Sequence, residues 1–415
     1  PPPPPPHPPP PPPTPTPTPH PRPRQICIRH PTLSPQPTGR YNTTPVAGEA
    51  VEAFVPDPLP PRLSAQQLAT LTEPLREAEA ALGRLDLAGE MIPSLDWFIY
   101  AFVRKEALLS SEIEGTQATL VEVLAWEQAE QPGTSNIDDI EEVTNYVAAV
   151  NHALKEIHSP KGPPISMRLL NDCHRILMQG VRGATKQPGE LRRSQNWIGG
   201  SRPGNAVFVP PPPEQVADLL SDLESYIHAQ DELAPLLRIA LAHVQFETIH
   251  PYLDGNGRLG RMLIALLLDH WQLLKSPLLY LSLYLKQNQA AYYRWLEAIR
   301  TEGDSVGWLR FFLVGVAEIA DDATRTARAL YARVSEDRQV LLKAPGATVT
   351  AIQLFEQLPE HPIVTMPSVT RLLSISKPTS GKAIDVLIKA GILAEVGERK
   401  RDRLYRYEGY LGLLD

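Results

Sequence analysis

Cysteine is nearly absent from the sequence, with only Cys27 and Cys173 among 415 residues. Two cysteines allow one disulfide at most and cannot build a zinc site from thiolates alone, which is typical of a reducing compartment. Long apolar runs are missing too, because the longest, at residues 262–268, is far short of the roughly 20 residues of a membrane-spanning helix. The first residues are mostly proline rather than an apolar stretch, so we expect no signal peptide. We therefore expect a soluble, cytoplasmic protein with no membrane partner.

Excess positive charge is also lacking, because the formal net charge is −7 at pH 7. This balance excludes a protein that coats nucleic acid with its whole surface, but it leaves a local DNA-binding patch open. Hydrophobic residues make up 42% of the chain, enough for ordinary cores, and the length predicts two or three domains.

Proline is abundant but uneven, since 20 of the 45 prolines fall within the first 40 residues. Such a segment favours polyproline II and has too few apolar side chains to build a core. We predict that residues 1–45 form a disordered, proline-rich tail. A plain spacer is the preferred interpretation, and a ligand for SH3-type domains is the alternative.

Beyond the tail, apolar residues recur at helical spacing as far as residue 330. One stretch breaks the pattern: short apolar runs at 195–198 and 206–209 flank a segment rich in glycine and proline, which predicts a β-hairpin. We therefore predict a mainly α fold with one hairpin, divided into an N-terminal helical region at 46–126 and a larger helical body at 127–335.

The pattern changes again after residue 336. Helices are predicted at 350–357, 367–373 and 378–390, and strands at 393–396 and 404–407. Helix-turn-helix followed by a two-stranded wing is typical of a winged-helix domain, which we assign to 336–415. Its basic side chains include Lys377, Lys382, Arg399, Lys400, Arg401 and Arg403. DNA contact and a structural role, such as homodimer formation, are equally open.

The densest chemical signal runs from His250 to Arg261 and reads His-Pro-Tyr-Leu-Asp-Gly-Asn-Gly-Arg-Leu-Gly-Arg. It lies between two predicted helices, so it is a loop that leads into a helix N-terminus. Gly255 and Gly257 let the backbone approach a ligand, and the free N–H groups of the next helix attract negative charge. Arg258 and Arg261 are three residues apart, so both can face one phosphate chain.

Three more side chains complete the predicted phosphate site. Asp254 is a hard oxygen ligand suited to Mg²⁺. Asn256 can donate to a phosphate oxygen, and His250 can be neutral near pH 7 and take a proton from a hydroxyl. Together they predict phosphoryl or nucleotidyl transfer. The segment also satisfies the G-x-G-x-x-G dinucleotide fingerprint, but that motif follows a strand and a helix is predicted here.

The segment resembles the H-P-F-x-[DE]-G-N-G-R-x-x-R signature of the Fic family, with Tyr252 where the family usually has Phe. The resemblance extends from about residue 41 to the C-terminus. It implies a Fic catalytic core that transfers AMP from ATP to a Ser, Thr or Tyr hydroxyl of a target protein or of itself. By this resemblance His250 is the general base, Asp254 holds Mg²⁺, and ATP lies on Gly255, Asn256, Gly257, Arg258, Leu259, Gly260 and Arg261.

The resemblance also assigns roles outside the loop. The hairpin becomes a flap that pairs with an extended segment of the target, with a plain surface excursion as the alternative. Contacts to the nucleotide fall on Val207 and Phe208 of the hairpin and on Tyr292 and Tyr293, of which Tyr293 is preferred. For the two tyrosines, ordinary core packing is the alternative.

Residues 110–115, Ser-Ser-Glu-Ile-Glu-Gly, are similar to the family's inhibitory pattern [ST]-x-x-x-E-[GN]. Ser110 and Glu114 are four apart and share a face of a helix. In family members with this pattern the glutamate contacts the second arginine of the signature, here Arg261, so that ATP binds unproductively. A solvated helix acid is the alternative.

The resemblance thus implies an autoinhibited protein adenylyltransferase. Removal of AMP from a target and transfer of another nucleotide are alternatives within the same chemistry. A DNA-binding regulator whose Fic core only senses nucleotide is the alternative from another class.

Overall fold

The computed structural model describes residues 38–46, 48–90, 95–128, 136–160, 162–396 and 403–414. Most of these residues are helical, which confirms the predicted mainly α fold. The predicted tail up to residue 37 lies outside the described residues, and so do Arg399, Lys400 and Arg401 of the predicted wing. None of the helices in the described ranges combines the length and hydrophobicity that a membrane crossing requires.

The strands are β1 (Gly39–Val46), β2 (Glu49–Pro56), β3 (Ile363–Thr365), β4 (Leu393–Val396) and β5 (Leu404–Tyr407). The helices are α1 (Ala65–Ala69), α2 (Thr72–Glu90), α3 (Leu95–Ile113), α4 (Leu120–Gln128), α5 (Ile137–His158), α6 (Met167–Leu177), α7 (Pro213–His228), α8 (Pro235–Ile249), α9 (Asn256–His270), α10 (Ser282–Gln287), α11 (Gln289–Glu302), α12 (Ser305–Lys343), α13 (Val349–Gln357), α14 (Met366–Leu373), α15 (Lys377–Lys389) and α16 (Glu408–Leu411).

An antiparallel hairpin of β1 and β2 opens the described chain, with Tyr41 opposite Phe54. The prediction of a disordered tail is therefore wrong for residues 39–45. The reason is tertiary: the buried side chains Val46, Val51 and Ala53 of the hairpin form one apolar cluster with Val209 of the predicted flap. A sequence pattern of short, partly polar strands does not reveal such a partner.

Three hydrogen bonds hold the β1–β2 hairpin against the helical body. The Thr38 hydroxyl donates to the Ile299 carbonyl at 2.6 Å, the Gln245 amide donates to the Asp57 carbonyl at 3.0 Å, and the Phe54 N–H donates to the Val209 carbonyl at 3.0 Å. The hairpin thus bridges α11, α8 and the flap.

Helices α8 and α9 are the most deeply buried elements beside the predicted site. Every residue from Leu236 to Ile249 is buried, because α8 is apolar around most of its circumference. Trp308 of α12 packs fully buried against α8 and donates its Nε1–H to the Ala240 carbonyl at 2.9 Å. Close packing on all sides makes the ends of α8 and α9 rigid supports for the loop between them.

The predicted flap is less regular than a two-stranded hairpin. Its only bridge in the described chain is Ile198–Phe208, and Pro203–Asn205 forms a 3₁₀ turn. Prolines lack the N–H that a ladder needs, so Pro203 and the run that starts at Pro210 keep the pairing short. The segment instead takes its second partner from β2 through Phe54 and Val209.

The C-terminal region contains the helices and strands that its sequence predicts, plus β3 and the short α16. Its sheet has the order β3-β5-β4, and both pairs are antiparallel. Helix α12 is longer than its predicted end near residue 330, because Leu330, Val334 and Leu341 continue its buried stripe. Residues 335 and 336 lie inside this helix, and the predicted domain bounds stay predictions.

Candidate active site

The predicted catalytic loop joins the end of α8 to the start of α9. His250 ends α8 with φ 48° and ψ 62°, a left-handed conformation that is unusual for a residue with a side chain. Arg192 secures this turn. Its Nε donates to the His250 carbonyl at 2.9 Å, and its Nη2 donates to the carbonyls of Ile249 at 3.3 Å and of Pro211. The buried guanidinium therefore fixes the backbone that carries the predicted base.

His174, on α6, supports the loop from its other side. Its Nδ1 accepts from the Gly189 N–H at 2.8 Å, so the neutral ring carries its proton on Nε2, which donates to the Asp254 carbonyl at 3.0 Å. The ring stacks on Tyr252 with 3.9 Å between centroids. Burial lowers the pKa of His174 to about 4, which keeps the ring neutral. Sequence reasoning missed His174, because one histidine in an amphipathic helix carries no motif.

Gly255 and Asn256 form the turn into α9. Gly255 has φ 75°, and a Cβ there would lie 2.7 Å from the Met178 sulfur, so both conformation and space require glycine. Asn256 is buried, and its side chain accepts from the Tyr252 N–H and donates to the Tyr252 carbonyl, both at 2.8 Å. These two bonds tie the start of α9 to Tyr252 and so close the loop between them. The predicted contact between Asn256 and a phosphate stays a prediction.

The His250 side chain is a half-buried, neutral imidazole. Burial lowers its pKa to about 4 and the Arg192 charge adds to the shift, while the Glu247 backbone and the Glu114 charge oppose it. Its Nδ1 is buried and has no hydrogen-bond partner within the described chain. At pH 7 this ring holds a free lone pair and can accept a proton.

Arg261 makes three hydrogen bonds to the end of α3. Its Nε donates to the Ser110 hydroxyl at 2.9 Å, and its Nη2 donates to the Ser110 carbonyl at 2.8 Å and to Glu114 Oε1 at 2.7 Å. Helix α3 ends at Ile113, so Glu114 lies in the turn that follows. Desolvation is the largest single influence on Glu114 and opposes its ionisation, but the charge and hydrogen bond of Arg261, with smaller contributions from Arg258 and His250, together lower the pKa of Glu114. The structure thus brings together Ser110, Glu114 and Arg261, and the inhibitory role of this contact stays a prediction.

Gly257 allows this approach. A Cβ on Gly257 would collide with Glu114 Oε1 and lie 3.0 Å from Arg261 Nη1. The bare Cα in the first turn of α9 therefore lets the Glu114 carboxylate reach the helix N-terminus, where the backbone N–H groups and the helix dipole favour negative charge. Glu114 lies where an anionic ligand of α9 would bind.

Arg258 is connected to the same segment through Glu142 of α5. Arg258 is 3% exposed, and its Nη1 lies 3.4 Å from Glu142 Oε2. The same carboxylate oxygen accepts from the Thr116 hydroxyl at 2.7 Å. Both arginines of the loop are therefore linked to the residues around Glu114. Sequence reasoning missed Thr116 and Glu142, because their partners lie far away in the chain.

Leu259, Gly260 and Tyr292 belong to the framework behind the loop. Leu259 is fully buried, so it offers a ligand no side chain. The Gly260 carbonyl lies 2.9 Å from His243 Nδ1, and His243 Nε2 lies 2.9 Å from the Tyr292 hydroxyl. Tyr292 is 1% exposed, so it takes the core position that was its alternative, and its buried ring offers no open face to adenine.

The other predicted nucleotide contacts lie nearer the surface. Tyr293 is 48% exposed and Val207 is 70% exposed, so both can meet a ligand. Phe208 is buried, and the guanidinium carbon of Arg300 lies 3.9 Å from the centroid of its ring. Arg300, which sequence reasoning missed, therefore covers Phe208.

Asp254 is the residue that could hold Mg²⁺. Its side chain is 41% exposed, and its Oδ1 accepts from the Gly255 N–H at 2.7 Å. Mg²⁺ is held by one or two carboxylates and completes its shell with phosphate and water, so a single exposed aspartate fits an ion that arrives with a triphosphate. Within the described ranges, no group of three or more His, Cys, Asp or Glu side chains could hold a metal.

Two protein-family models match the chain. The model described as Fic/DOC family N-terminal matches residues 72–155, and the model described as Fic/DOC family matches residues 164–268. The chain contains a Fic domain. The Fic domain carries His250, Arg258 and Arg261, whereas Ser110 and Glu114 lie in the N-terminal match.

Two relatives are similar to part of the chain in sequence, and one solved structure is similar to it in fold. The chain is 30% identical to the protein adenylyltransferase Fic of Culex quinquefasciatus over 187 residues, 44% of this chain and 33% of that protein. It is 34% identical to the protein of the same name from Drosophila willistoni over 171 residues, 40% of this chain and 31% of that protein. The chain thus spans about a third of the length of these relatives. The crystal structure of a Fic family protein from Desulfovibrio desulfuricans G20 superposes with a TM-score of 0.53 at 21% identity, covering 84% of this chain and 98% of that one.

Proposed function

We propose that this protein is an adenylyltransferase that modifies target proteins and is held inactive by Glu114. The hydroxyl oxygen of a Ser, Thr or Tyr attacks the α-phosphorus of ATP. A new P–O bond forms, the bond to the β-phosphate oxygen breaks, and pyrophosphate leaves. The hydroxyl proton passes to His250. The names of the relatives from Culex and Drosophila support this class of reaction.

His250 suits the role of general base because it is neutral and fixed. Its low pKa keeps the lone pair free at pH 7, and Arg192 holds its backbone through the carbonyl. Because Nδ1 is buried, the remaining nitrogen, Nε2, is the one that can meet a hydroxyl. A base in fixed orientation avoids much of the entropy loss of bringing reactants together.

The N-terminus of α9 suits the triphosphate. Its backbone N–H groups, Arg258 and Arg261 present positive charge to one point, and stabilisation of charge is the main task in phosphoryl and nucleotidyl transfer. Mg²⁺ on Asp254 would neutralise phosphate charge when bound. The chain's own part is to orient the phosphates and to exclude water from the loop.

The observation that carries the inhibition is the position of Glu114. Its carboxylate lies against Gly257 and Arg261, so it occupies the place that we assign to a phosphate of ATP. With Glu114 there, Arg261 is already neutralised and a triphosphate meets a negative charge. Displacement of Glu114 returns both the space and the cation to ATP.

The experiment compares the unsubstituted full chain with three variants, using labelled ATP and Mg²⁺. Glu114→Gly should raise label on the protein at least about tenfold, because a charge-assisted contact to Arg261 becomes available. His250→Ala in that background should abolish it. Glu112→Gly is the matched control, because Glu112 pairs with Lys286 at 2.6 Å rather than with Arg261.

The outcomes separate the alternatives. Equal, low labelling of the unsubstituted chain and Glu114→Gly would contradict inhibition by Glu114. Labelling by GTP, CTP or UTP in preference to ATP would indicate another nucleotidyl transfer. Loss of AMP from an already modified protein without any new labelling would indicate the reverse reaction, and salt-sensitive binding to duplex DNA without labelling would favour the regulator.

We also propose that the C-terminal elements form a winged-helix domain. The order α13, β3, α14, α15, β4, β5 and the sheet order β3-β5-β4 support this class. The side chains of Thr365 and Ser376 cap α14 and α15, so the helix-turn-helix has defined helix starts.

A further inference from the structure

Arg300, near the end of α11, is a cation with the carboxylates of Glu297 and Glu247 within electrostatic reach. Its guanidinium lies over the Phe208 ring at 3.9 Å, and no carboxylate among the described residues forms an ion pair with it. Burial lowers the pKa of Arg300 to about 10, so it stays charged at neutral pH. A largely desolvated cation that lies over an aromatic face and makes no ion pair can bind a further anion.

The surroundings of Arg300 place it beside the flap and the β1–β2 hairpin. Phe208 belongs to the flap, and Ile299, the residue before Arg300, accepts the hydrogen bond from Thr38 that anchors the hairpin. Tyr41 of β1 is close enough to influence the ionisation of Arg300. Arg300 is therefore enclosed by the elements that lie on one side of the catalytic loop.

His250 is within electrostatic reach of Arg300 and also of Glu114, whose own charged neighbours are Arg261 and Arg258. The His250 imidazole is thus influenced by two charged groups, Glu114 with its arginines and Arg300. The phosphate-binding arginines lie with Glu114, and Arg300 lies with the flap. The flap lies against the catalytic loop, because the Asn196 amide donates to the Tyr252 carbonyl at 3.2 Å. A base between donor and acceptor must receive the hydroxyl from the side that the triphosphate leaves free, and we assign the acceptor to the side of the flap.

We propose that Arg300 binds a carboxylate of the target, an Asp or Glu side chain next to the acceptor hydroxyl, and so selects acidic acceptor segments. This inference rests on the proposed adenylyl transfer. A guanidinium offers a carboxylate two parallel N–H donors, and Phe208 keeps the guanidinium plane in place below. Binding the carboxylate fixes the hydroxyl beside it within reach of His250.

The test uses a degenerate peptide library with a fixed Ser, Thr or Tyr at its centre, incubated with labelled ATP, Mg²⁺ and the Glu114→Gly protein. Labelled peptides should be enriched about tenfold in Asp or Glu beside the acceptor, as expected for one charge-assisted pair. Arg300→Gln should remove the enrichment, and Arg300→Glu should reverse it towards Lys and Arg. Arg300→Lys should restore part of it. Arg294→Gln, an exposed arginine on the same helix, is the matched control.

The readouts distinguish the possible failures. Peptides labelled without regard to flanking charge would overturn the role of Arg300 while leaving adenylyl transfer intact. A higher KM for ATP in Arg300→Gln with an unchanged ranking of peptides would also overturn it, because Arg300 would then bind a phosphate of ATP. Absence of label on both peptides and protein would reject the proposed function itself. Thermal unfolding of each variant checks that a loss is not a loss of folding, and the charge reversal in Arg300→Glu cannot arise from instability.

Discussion

Arg261 and Glu114 are 147 positions apart in the sequence, and their side chains meet at 2.7 Å. The two partners differ in burial: the Arg261 side chain is 2% exposed and that of Glu114 is 37% exposed. Ser110 holds the guanidinium through two further bonds. Glu114 can therefore leave while Arg261 stays in position. Of the two partners, Glu114 is therefore the one with more freedom to move.

Ser110→Ala tests this positioning. It leaves the buried Nε–H of Arg261 without an acceptor, so the free energy of unfolding should fall by about 1–3 kcal/mol in denaturant titration. In the Glu114→Gly background, labelling by ATP should fall as well. Ser111→Ala is the control, because the buried Ser111 hydroxyl has no hydrogen-bond partner in the described chain, and it should change stability by less than about 0.5 kcal/mol. Equal losses in the two variants would contradict a specific role for Ser110.

Arg192→Gln tests whether the shape of the loop matters for the chemistry. The substitution removes the donor to three carbonyls around His250, and a shift of the base by about 1 Å can lower the rate about 100-fold. Single-turnover labelling in the Glu114→Gly background measures it. Arg193→Gln is the control, since Arg193 is exposed and pairs with Glu190. A normal rate in Arg192→Gln would show that His250 keeps its place without this clamp.

The pH profile tests the state of His250. Its pKa is lowered to about 4 by burial first and by Arg192 second, and loss of the Glu114 charge in Glu114→Gly lowers it further. The ring is thus unprotonated well below neutrality, and kcat/KM for ATP should be level from about pH 6 to 8 and fall only as the pH drops towards 4. A half-maximal value near pH 6.5, the ordinary pKa of histidine, would mean that the ring is solvated in solution.

Glu142→Gln tests the buried charges behind Arg258. Glu142 is 1% exposed and faces Arg258, whose Nε and Nη1 have no hydrogen-bond partner within the described ranges. Loss of the negative charge leaves the buried Arg258 with the more distant Asp254 carboxylate, at 3.9 Å, as its ion-pair partner in the described chain, which should lower the free energy of unfolding by about 3 kcal/mol. Glu141→Gln, at the half-buried neighbouring position, should have little effect. A small change in Glu142→Gln would show that Asp254 or solvent compensates Arg258.

The loop from His250 to Arg261 could be predicted because its chemistry is local. Glycines, arginines and a histidine within twelve positions are enough to predict a turn, a helix start and an anion site, although Arg192 and His174 hold the loop in place from distant segments. The link from Glu114 to Arg261 could be predicted only by resemblance, since no spacing rule joins segments so far apart. Glu142 and His174 act through single contacts to the loop, so their sequence neighbourhoods carry no sign of it.

The remaining differences have physical causes of the same kind. Helical periodicity cannot tell which of Tyr292 and Tyr293 faces the core, because adjacent positions on a helix differ by about 100° and both flank its boundary. The β1–β2 hairpin is stabilised by the flap and by α8 and α11, so its own short strands predict little. The contact between Arg300 and Phe208 could not be predicted, because the two residues are far apart in the sequence and meet only in the folded chain.

Gly257 has no side chain, and in the proposed function this open space takes either the Glu114 carboxylate or a phosphate of ATP. Any residue with a Cβ would keep the Glu114 carboxylate away from α9, but the same atom would stand in the path of a triphosphate. A substitution of Gly257 that relieved the proposed inhibition would therefore also reduce the proposed adenylyl transfer. In the proposed function, inhibition is therefore released by movement of Glu114, in the turn that follows α3, and not by change at Gly257.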